Sequence, residues 1–363
     1  MAMTSDVVII GAGAIGCAAA YHLAKEKLHA VVVDKGEVGR EASWASAGIV
    51  SHASSGTSPY AQLCRASRVM FPALAEELRD LTGIDVEFHA SGGLDVFFTE
   101  EEERELDGYF RAESSRGIAV EKLSAEELLR REPALTPAVR GALYWHEDAQ
   151  VRTPRYVRAL AHAAVRLGAT FVLGKPVTEI LTVGERVTGV RAHDETISAG
   201  ATVIAAGAWS GQIGQLLGYP IEVEPCKGQI VLVETLPALL RHVIHAEDLY
   251  LVPRADGKLL IGSTVEFVGF DKRPTPEGVR TLLHRALEIV PALAQHTFVT
   301  AWAGLRPYRE RGVALGPVPG REGVYVASGH YRNGILLSPI TGRLIKEFIV
   351  DGTVSLNVEK FRL

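Results

Sequence analysis

Gly11, Gly13 and Gly16 stand at G-x-G-x-x-G spacing in the run Val7-Val8-Ile9-Ile10-Gly11-Ala12-Gly13-Ala14-Ile15-Gly16. The chemistry open to that spacing is the cradling of a dinucleotide pyrophosphate. Gly11 permits a tight turn, Gly13 lets the backbone approach a phosphate that a Cβ would block, and Gly16 lets the following helix lie close to the sheet. Ala14 and Ile15 open that helix, whose free N–H groups and partial positive charge face the phosphates. Asp34 stands 18 positions after Gly16, where a carboxylate can accept ribose hydroxyls. Lys35 follows it.

Those residues meet only if their flanks fold as a β-α-β unit. Val7 to Ile10 is β-branched throughout and reads as a strand buried on both faces. Ala18, Ala19, Ala20, Leu23 and Ala24 give the next helix one small apolar face, and Ala30 to Val33 is a second buried strand ending at Asp34. A glycine-rich turn without a ligand is the rival reading. The two strands, the helix and the acid argue against it. The motif alone does not separate FAD from NAD.

Further along, Arg40 to Gly48 is small and polar. It reads as a loop and short helix running along a ligand, with Ser43, Ser46, Ala47 and Gly48 as contacts. The rival is a plain surface loop. Segment 61–81 has helical spacing. Leu94 to Phe98 reads as a strand, and Thr99 with Glu102 and Ser124 with Glu127 give capping boxes for two polar helices. Thr153-Pro154 predicts an N-cap followed by proline, with the helix running to Leu167 and closed by Gly168. Thr170 to Leu173 reads as a strand, followed by Val177. Gly189-Val190 and Ile197 fit hairpin strands. Val203 onward reads as a further buried strand ending near Gly207, which brings Ala206, Gly207 and Trp209 toward the first motif's ligand. Gly228 to Val233, Leu249 to Val252 and Leu259 to Ile261 suit an antiparallel sheet, with Asp256-Gly257 as a hairpin turn and Pro253 ending one arm. Thr275-Pro276-Glu277 starts a helix reaching about Ile289. Arg306 precedes a proline in Trp302 to Pro307. Val324 to Ala327 reads as a strand, Ser328 to Gly334 as a glycine-punctuated loop, and Ile335 to Ile349 as a helix.

The chain has 363 residues, 47% of them hydrophobic, and a formal net charge of −5, which suits two intertwined domains with ample core. Without a basic run, nucleic acid is not an expected partner. Its three cysteines, Cys17, Cys64 and Cys226, form no C-x-x-C pair, so neither a disulfide framework nor structural zinc is expected. His242 and His245 lack further ligands in pattern, so no metal is expected. No apolar stretch reaches the roughly 18 residues that span a bilayer. The first one is too short for a signal peptide. A cytoplasmic protein is expected.

On these residues the chain resembles the D-amino-acid oxidase superfamily, and within it the glycine oxidases of the thiamin pathway. The resemblance covers nearly the whole chain. It is carried by VVIIGAGAIG at 7–16, SWASAGI at 43–49, VIAAGAWS at 203–210, YLVPR at 250–254, AWAGLRP at 301–307 and GHYRNGILLSP at 329–339. It implies an α/β fold: a Rossmann-like FAD-binding domain (1–85, 140–221 and 299–363) interleaved with an antiparallel-sheet α+β substrate domain (86–139 and 222–298). It implies non-covalent FAD held at the positions named above and at Val177, Gly329, His330, Arg332, Asn333, Gly334, Ile335 and Leu336. Arg306, Tyr250 and Arg332 become the catalytic candidates. The position of Arg306 pairs with a substrate carboxylate, which suits a guanidinium's two parallel hydrogen bonds. Tyr250 places a phenol on that carboxylate, and Arg332 lines the pocket. The implied reaction is hydride transfer from a small amino acid to flavin N5, followed by imine hydrolysis and peroxide formation with molecular oxygen. A homo-oligomer is admitted by the resemblance.

Several departures and rivals accompany this reading. Residues 306–316 contain no cysteine that could tether flavin, and Cys226 reads as structural. Val265 and Asp248 stand where glycine oxidases carry methionine and histidine, which points to a roomier pocket open to D-alanine, sarcosine or D-proline. Arg306 could instead form a surface ion pair, Tyr250 could be a half-buried strand residue, Arg332 could hold its loop, and His330 could pack the loop. A dehydrogenase of the same fold passing electrons to a quinone or protein is the alternative function. A flavin-binding protein without catalysis and a nicotinamide dehydrogenase follow behind it.

Overall fold

A computed structural model describes residues 2–51, 56–246 and 249–363. Two large sheets organise them. The first runs in the order Ala314–Pro317, Val324–Ser328, Glu195–Ile204, Ala2–Ile10, Ala30–Val33 and Thr170–Val172. Every neighbouring pair in that path is parallel except the outermost, between Ala314–Pro317 and Val324–Ser328. Burial on both faces follows the alternation of a strand. Val7 and Ile9 enter one apolar cluster and Val8 and Ile10 the other. Helices Ala14–Lys25, Thr153–Arg166 and Gly334–Lys346 supply the first cluster, and the hairpin strands Val177–Val183 and Arg186–Ala192 with helix Ser210–Leu217 supply the second. The small face of the first helix is used fully. Ala18, Ala19 and Ala20 are completely buried, and a Cβ at Gly342 would lie 2.6 Å from the Ala18 backbone.

The second sheet has eight strands, in the order Thr297–Tyr308, Glu224–Glu234, Lys258–Gly262, Leu249–Pro253, Val243–Ala246, Gly93–Phe97, Gly141–Trp145 and Val120–Ser124. Helix Pro276–Ile289 covers one face through Leu282, Ala286 and Ile289 against Val231, Leu251 and Ile261. The opposite face carries Ile230, Val252 and Leu260, clustered with Ala47 and beside Tyr250 and Trp302. That face looks onto the first sheet's loops.

Several segments differ from the sequence expectation. Strands Gly141–Trp145 and Thr297–Tyr308 pair in the second sheet, although boundaries drawn at residues 140 and 299 place them with the first. The second of these pairs along its length with Glu224–Glu234, a partner that local pattern does not reveal. Ile197 and Val203 lie on one continuous strand, Glu195–Ile204. Segment 61–81 is two helices, Pro59–Arg68 and Phe71–Thr82, the second starting beside Pro72. Pro253 remains in its strand, opposite Leu259. Thr153 does not cap its helix, because its hydroxyl donates to the Ser46 carbonyl at 3.0 Å. Both capping boxes form as expected. Among the described residues no helix is long and apolar enough to cross a membrane, and no cluster of potential ligands could hold a metal.

Candidate active site

A cavity of about 610 Å³ lies between the second sheet and the ends of the first sheet's parallel strands. Ile10, Val33, Ala205 and Ala327 on its wall mark the carboxyl ends of four neighbouring strands, where open α/β sheets bind ligands. Gly11 turns the chain at φ +113°, and a Cβ there would sit 2.4 Å from the Ala205 carbonyl oxygen. Gly13 faces the cavity, and a Cβ there would touch only the Ser43 hydroxyl, at 3.3 Å. Gly16 lies behind the wall, where a Cβ would come 1.8 Å from the Gly11 carbonyl oxygen. It serves helix packing, not ligand contact.

Ala14, Ile15 and Ser43 line the same end, and the Ser43 hydroxyl accepts from the Ala14 N–H at 2.9 Å. Asp34 also lines it, but its carboxylate braces the turn as well. One oxygen accepts from Ala12 N–H and the other from Gly36 N–H, each at 2.7 Å. Each oxygen keeps a further lone pair for a ligand hydroxyl. The Lys35 ammonium sits 3.3 Å from the Trp209 ring centroid, and Phe270 packs on that ring at 5.3 Å. Burial in this aromatic corner lowers the Lys35 pKa. Ser46, Ala47, Gly48, Val177, Ala206 and Gly207 continue the wall.

The far end is built from the C-terminal loop and the second sheet. His330 is 2% exposed and lines the cavity. Its Nε2 lies 3.0 Å from the Thr341 hydroxyl, while its buried Nδ1 has no partner among the described residues. Burial pushes its pKa down to about 3, so the ring is neutral. Asn333 lines the wall and donates to the Tyr60 hydroxyl at 2.6 Å. Arg332, Gly334 and Ile335 join them, Arg332 as an exposed residue at the rim. Gly329 and Leu336 do not line the cavity. Gly329 occupies a left-handed turn beside the Gly312 carbonyl, and Leu336 points into the core with its carbonyl taken by Ser67.

Arg306 reaches into the cavity from the edge strand Thr297–Tyr308. Gly228 on the paired strand makes room, since a Cβ there would lie 2.0 Å from Nη2. Nη1 donates to the Thr264 carbonyl at 3.0 Å and Nη2 to the Ser263 hydroxyl at 2.5 Å. The Tyr331 ring lies below at 6.0 Å. The hydrogen-bond partners of Arg306 among the described residues are all neutral, and its guanidinium faces the cavity. Tyr250 lines the same end, with its ring over Gly262.

The sequence reading missed several wall residues. Asp95 and His245 are register neighbours, and His245 is the partner of Tyr250, so three side chains from three strands share one face. The Asp95 carboxylate accepts from the Trp145 indole at 2.8 Å. Gly228 carried one available signal, a glycine inside a strand, which often marks a close approach. Tyr331, at φ +49°, had none. Val265 is 49% exposed and does not line the cavity, which removes the basis for a pocket widened at that position. Asp248 lies outside the described residues. Cys226 is fully buried, with its sulfur 4.0 Å from the Tyr331 hydroxyl.

Residues 6–348 match the family described as FAD dependent oxidoreductase, DAO. The chain is 39% identical to a glycine oxidase of Geobacillus kaustophilus, with 99% of this chain and 96% of that protein aligned. It is 37% identical to a glycine oxidase of Pseudomonas putida, over 96% of this chain and 95% of the other. The crystal structure of the Geobacillus kaustophilus enzyme superposes with a TM-score of 0.96 at 38% identity, covering 99% of this chain and 98% of that one. The walls fit FAD on their own terms. The turn at Gly11 and Gly13 is one that added Cβ atoms would obstruct, and the buried Nδ1 of His330, without a partner among the described residues, offers a polar contact to a ligand. On a match running from residue 6 to residue 348, and on relatives aligned along nearly their whole length, this chain belongs to the FAD dependent oxidoreductase family and is an FAD-dependent amino-acid oxidoreductase.

Proposed function

We propose that this chain oxidises glycine and small D- or N-methyl amino acids at the α-carbon, yielding an oxo acid, ammonia or an amine, and hydrogen peroxide. FAD, held non-covalently, supplies the two-electron acceptor for the α-hydrogen and, through its reoxidation, the use of molecular oxygen. The observation that carries this reading is the Arg306 guanidinium, turned into the cavity with neutral partners among the described residues. A planar fork of this kind takes a carboxylate by two parallel hydrogen bonds and fixes its rotation. Ser263 and Thr264 hold the fork from one side, so the carboxylate meets it from the other.

Tyr250 adds a phenol next to that carboxylate, and Arg332 adds positive charge at the rim. Orientation is the main contribution such residues make, because a correctly aimed α C–H removes most of the entropic cost of the step. The start of helix Gly334–Lys346 on the wall directs its N-terminal dipole into the cavity, which favours negative charge there. At the other end Gly13, Ala14 and Asp34 would hold pyrophosphate and ribose. Relatives named glycine oxidase support a small substrate. A structural neighbour at 27% identity and TM-score 0.90, an iminodiacetate oxidase, supports access for N-substituted glycines.

The test is an anaerobic titration of the holoenzyme with glycine, sarcosine, D-alanine, D-proline and L-alanine, followed at the flavin band, and then admission of air. Bleaching by one of the first four, with rapid recovery and stoichiometric peroxide, is the expected outcome. Slow recovery without peroxide would replace the oxidase with a dehydrogenase. Failure of all of them to bleach the flavin would overturn the substrate reading.

A further inference from the structure

Arg254 closes the YLVPR run, and no step described above uses it. It is 8% exposed at the end of strand Leu249–Pro253. Nη1 donates to the Gln150 side-chain oxygen at 2.6 Å and to the Val151 carbonyl at 3.1 Å, and Nη2 donates to the Ala47 carbonyl at 2.6 Å. All three acceptors are neutral. The acids nearby are engaged by Arg152, which meets Glu87 at 2.6 Å and Asp256 at 3.0 Å. Burial lowers the Arg254 pKa to about 10, which leaves it charged at neutral pH. A buried cation with neutral partners is a poor source of stability. Its geometry points elsewhere.

Ala47 belongs to the segment Ser46–Ile49 on the cavity wall. Three successive carbonyls of that segment are held by donors that do not line the cavity. The Thr153 hydroxyl donates to Ser46 at 3.0 Å, Arg254 to Ala47 at 2.6 Å, and the Val151 N–H to Gly48 at 2.8 Å. In a trans peptide the C=O and N–H point in opposite directions. Holding three carbonyls outward therefore turns the N–H groups of Ala47, Gly48 and Ile49 inward. Among the described residues the Gly48 N–H makes one long contact of 3.3 Å, to the Ser46 hydroxyl. Gly48 must be glycine for this, because a Cβ would lie 2.0 Å from the Val151 carbonyl oxygen.

We propose that Arg254 is a positioning residue for the cofactor, fixing the Ala47 peptide from behind the wall so that the 47–49 N–H groups form a cradle for an electron-rich edge of bound FAD. It acts through Ala47 and does not touch the substrate. A guanidinium suits the task because one planar group ties strand Leu249–Pro253 of the second sheet, the Ala149–Gln150 strand and the 46–48 turn together. The inference rests on FAD occupying this cavity, and not on which amino acid is oxidised.

The experiment compares FAD-saturated wild type with Arg254→Met, Arg254→Lys and Thr153→Val. Bound-flavin absorption, visible circular dichroism and midpoint potential are measured without substrate, then kcat and KM with the amino acid that bleaches the wild-type flavin. Arg254→Met is expected to shift the flavin bands, make the potential more negative and lower kcat by up to about 100-fold with little change in KM, as a small misplacement can do. Arg254→Lys recovers part of each effect, since an ammonium reaches only some of the acceptors. Thr153→Val moves them in the same sense by less. Should Arg254→Met not fold, the other two variants decide. Flavin bands, potential and kcat equal to wild type in a folded Arg254 variant overturn the proposal. Wild-type protein that binds no FAD overturns the cofactor reading instead.

Discussion

Replacing Gly228 by alanine tests the Arg306 assignment without touching Arg306. The new methyl carbon would stand 2.0 Å from Nη2 and 2.2 Å from Cζ, and ordinary contact begins at 3.4 Å. The guanidinium must therefore retreat by about 1.4 Å. The backbone at 228 has ordinary strand geometry, opposite Gly304, so the fold accepts alanine. A displaced fork loses part of its charge-assisted hydrogen bonding to the substrate carboxylate, worth roughly 1.5–3 kcal/mol. At about 1.4 kcal/mol per decade, kcat/KM for glycine falls by about 10- to 150-fold. Most of the loss appears as raised KM, because carboxylate binding is shared by ground and transition states. Steady-state kinetics, FAD content and thermal unfolding of the same preparation make the assay. A folded, FAD-loaded Gly228→Ala enzyme with unchanged KM for every amino acid oxidised would refute the reasoning.

Other residues separate the cofactor end from the substrate end. Asp34→Ala is expected to lower FAD retention on dialysis and to cost about 1–3 kcal/mol of stability, because the Ala12 and Gly36 N–H groups lose their acceptor; full retention would remove its ligand role. Gly13→Val leaves the fold nearly intact, since its Cβ meets only the flexible Ser43 side chain, but fills the phosphate approach. Folded, colourless protein is the expected product, and normal FAD content would contradict the cradle. His330 titrates near 3 when folded because burial disfavours its charge, against an ordinary value of 6.5. Its contribution to stability is therefore complete above about 6.5 and is lost as pH falls from there toward 3. His22, lowered to about 4 by burial and by Lys25, acts in the same direction. Unfolding measured from pH 7 to pH 4 should be less pH-dependent in His330→Asn than in wild type, and parallel curves would exclude the buried neutral ring.

The nucleotide end of the site was legible because its signals are local. Glycine spacing, a β-branched strand, an alanine-faced helix and an acid all lie within residues 7–34 and report directly on one β-α-β unit. At the far end the cavity-lining positions legible in advance were Arg306, Tyr250 and Arg332 with the 330–335 loop, and those through resemblance. What turns the Arg306 guanidinium into the cavity is the room at Gly228 and the acceptors at Ser263 and Thr264, brought near by long-range strand pairing. Asp95 and His245 join the wall by the same route, from strands far apart in sequence. Sheet membership failed for a related reason. Strands Gly141–Trp145 and Thr297–Tyr308 carry no mark of which sheet they enter. Asp34 was read as a ligand group alone, since the two N–H groups it also satisfies become visible only when the turn is folded.

The parallel order of the first sheet sets a timetable for biogenesis. Strand Ala2–Ile10 is flanked by Ala30–Val33 and by Glu195–Ile204, which in turn pairs with Val324–Ser328. The helix that packs Gly342 against Ala18 is Gly334–Lys346. At about 5–20 residues per second of synthesis, roughly 15 to 65 s pass between the emergence of the glycine motif and that of its cover. During that interval a Val/Ile strand and an alanine-faced helix are without the last of the partners that bury them. Stable capture of the nucleotide must then await synthesis of residues 334–346, and truncation before Gly334 would cripple a motif more than three hundred residues upstream.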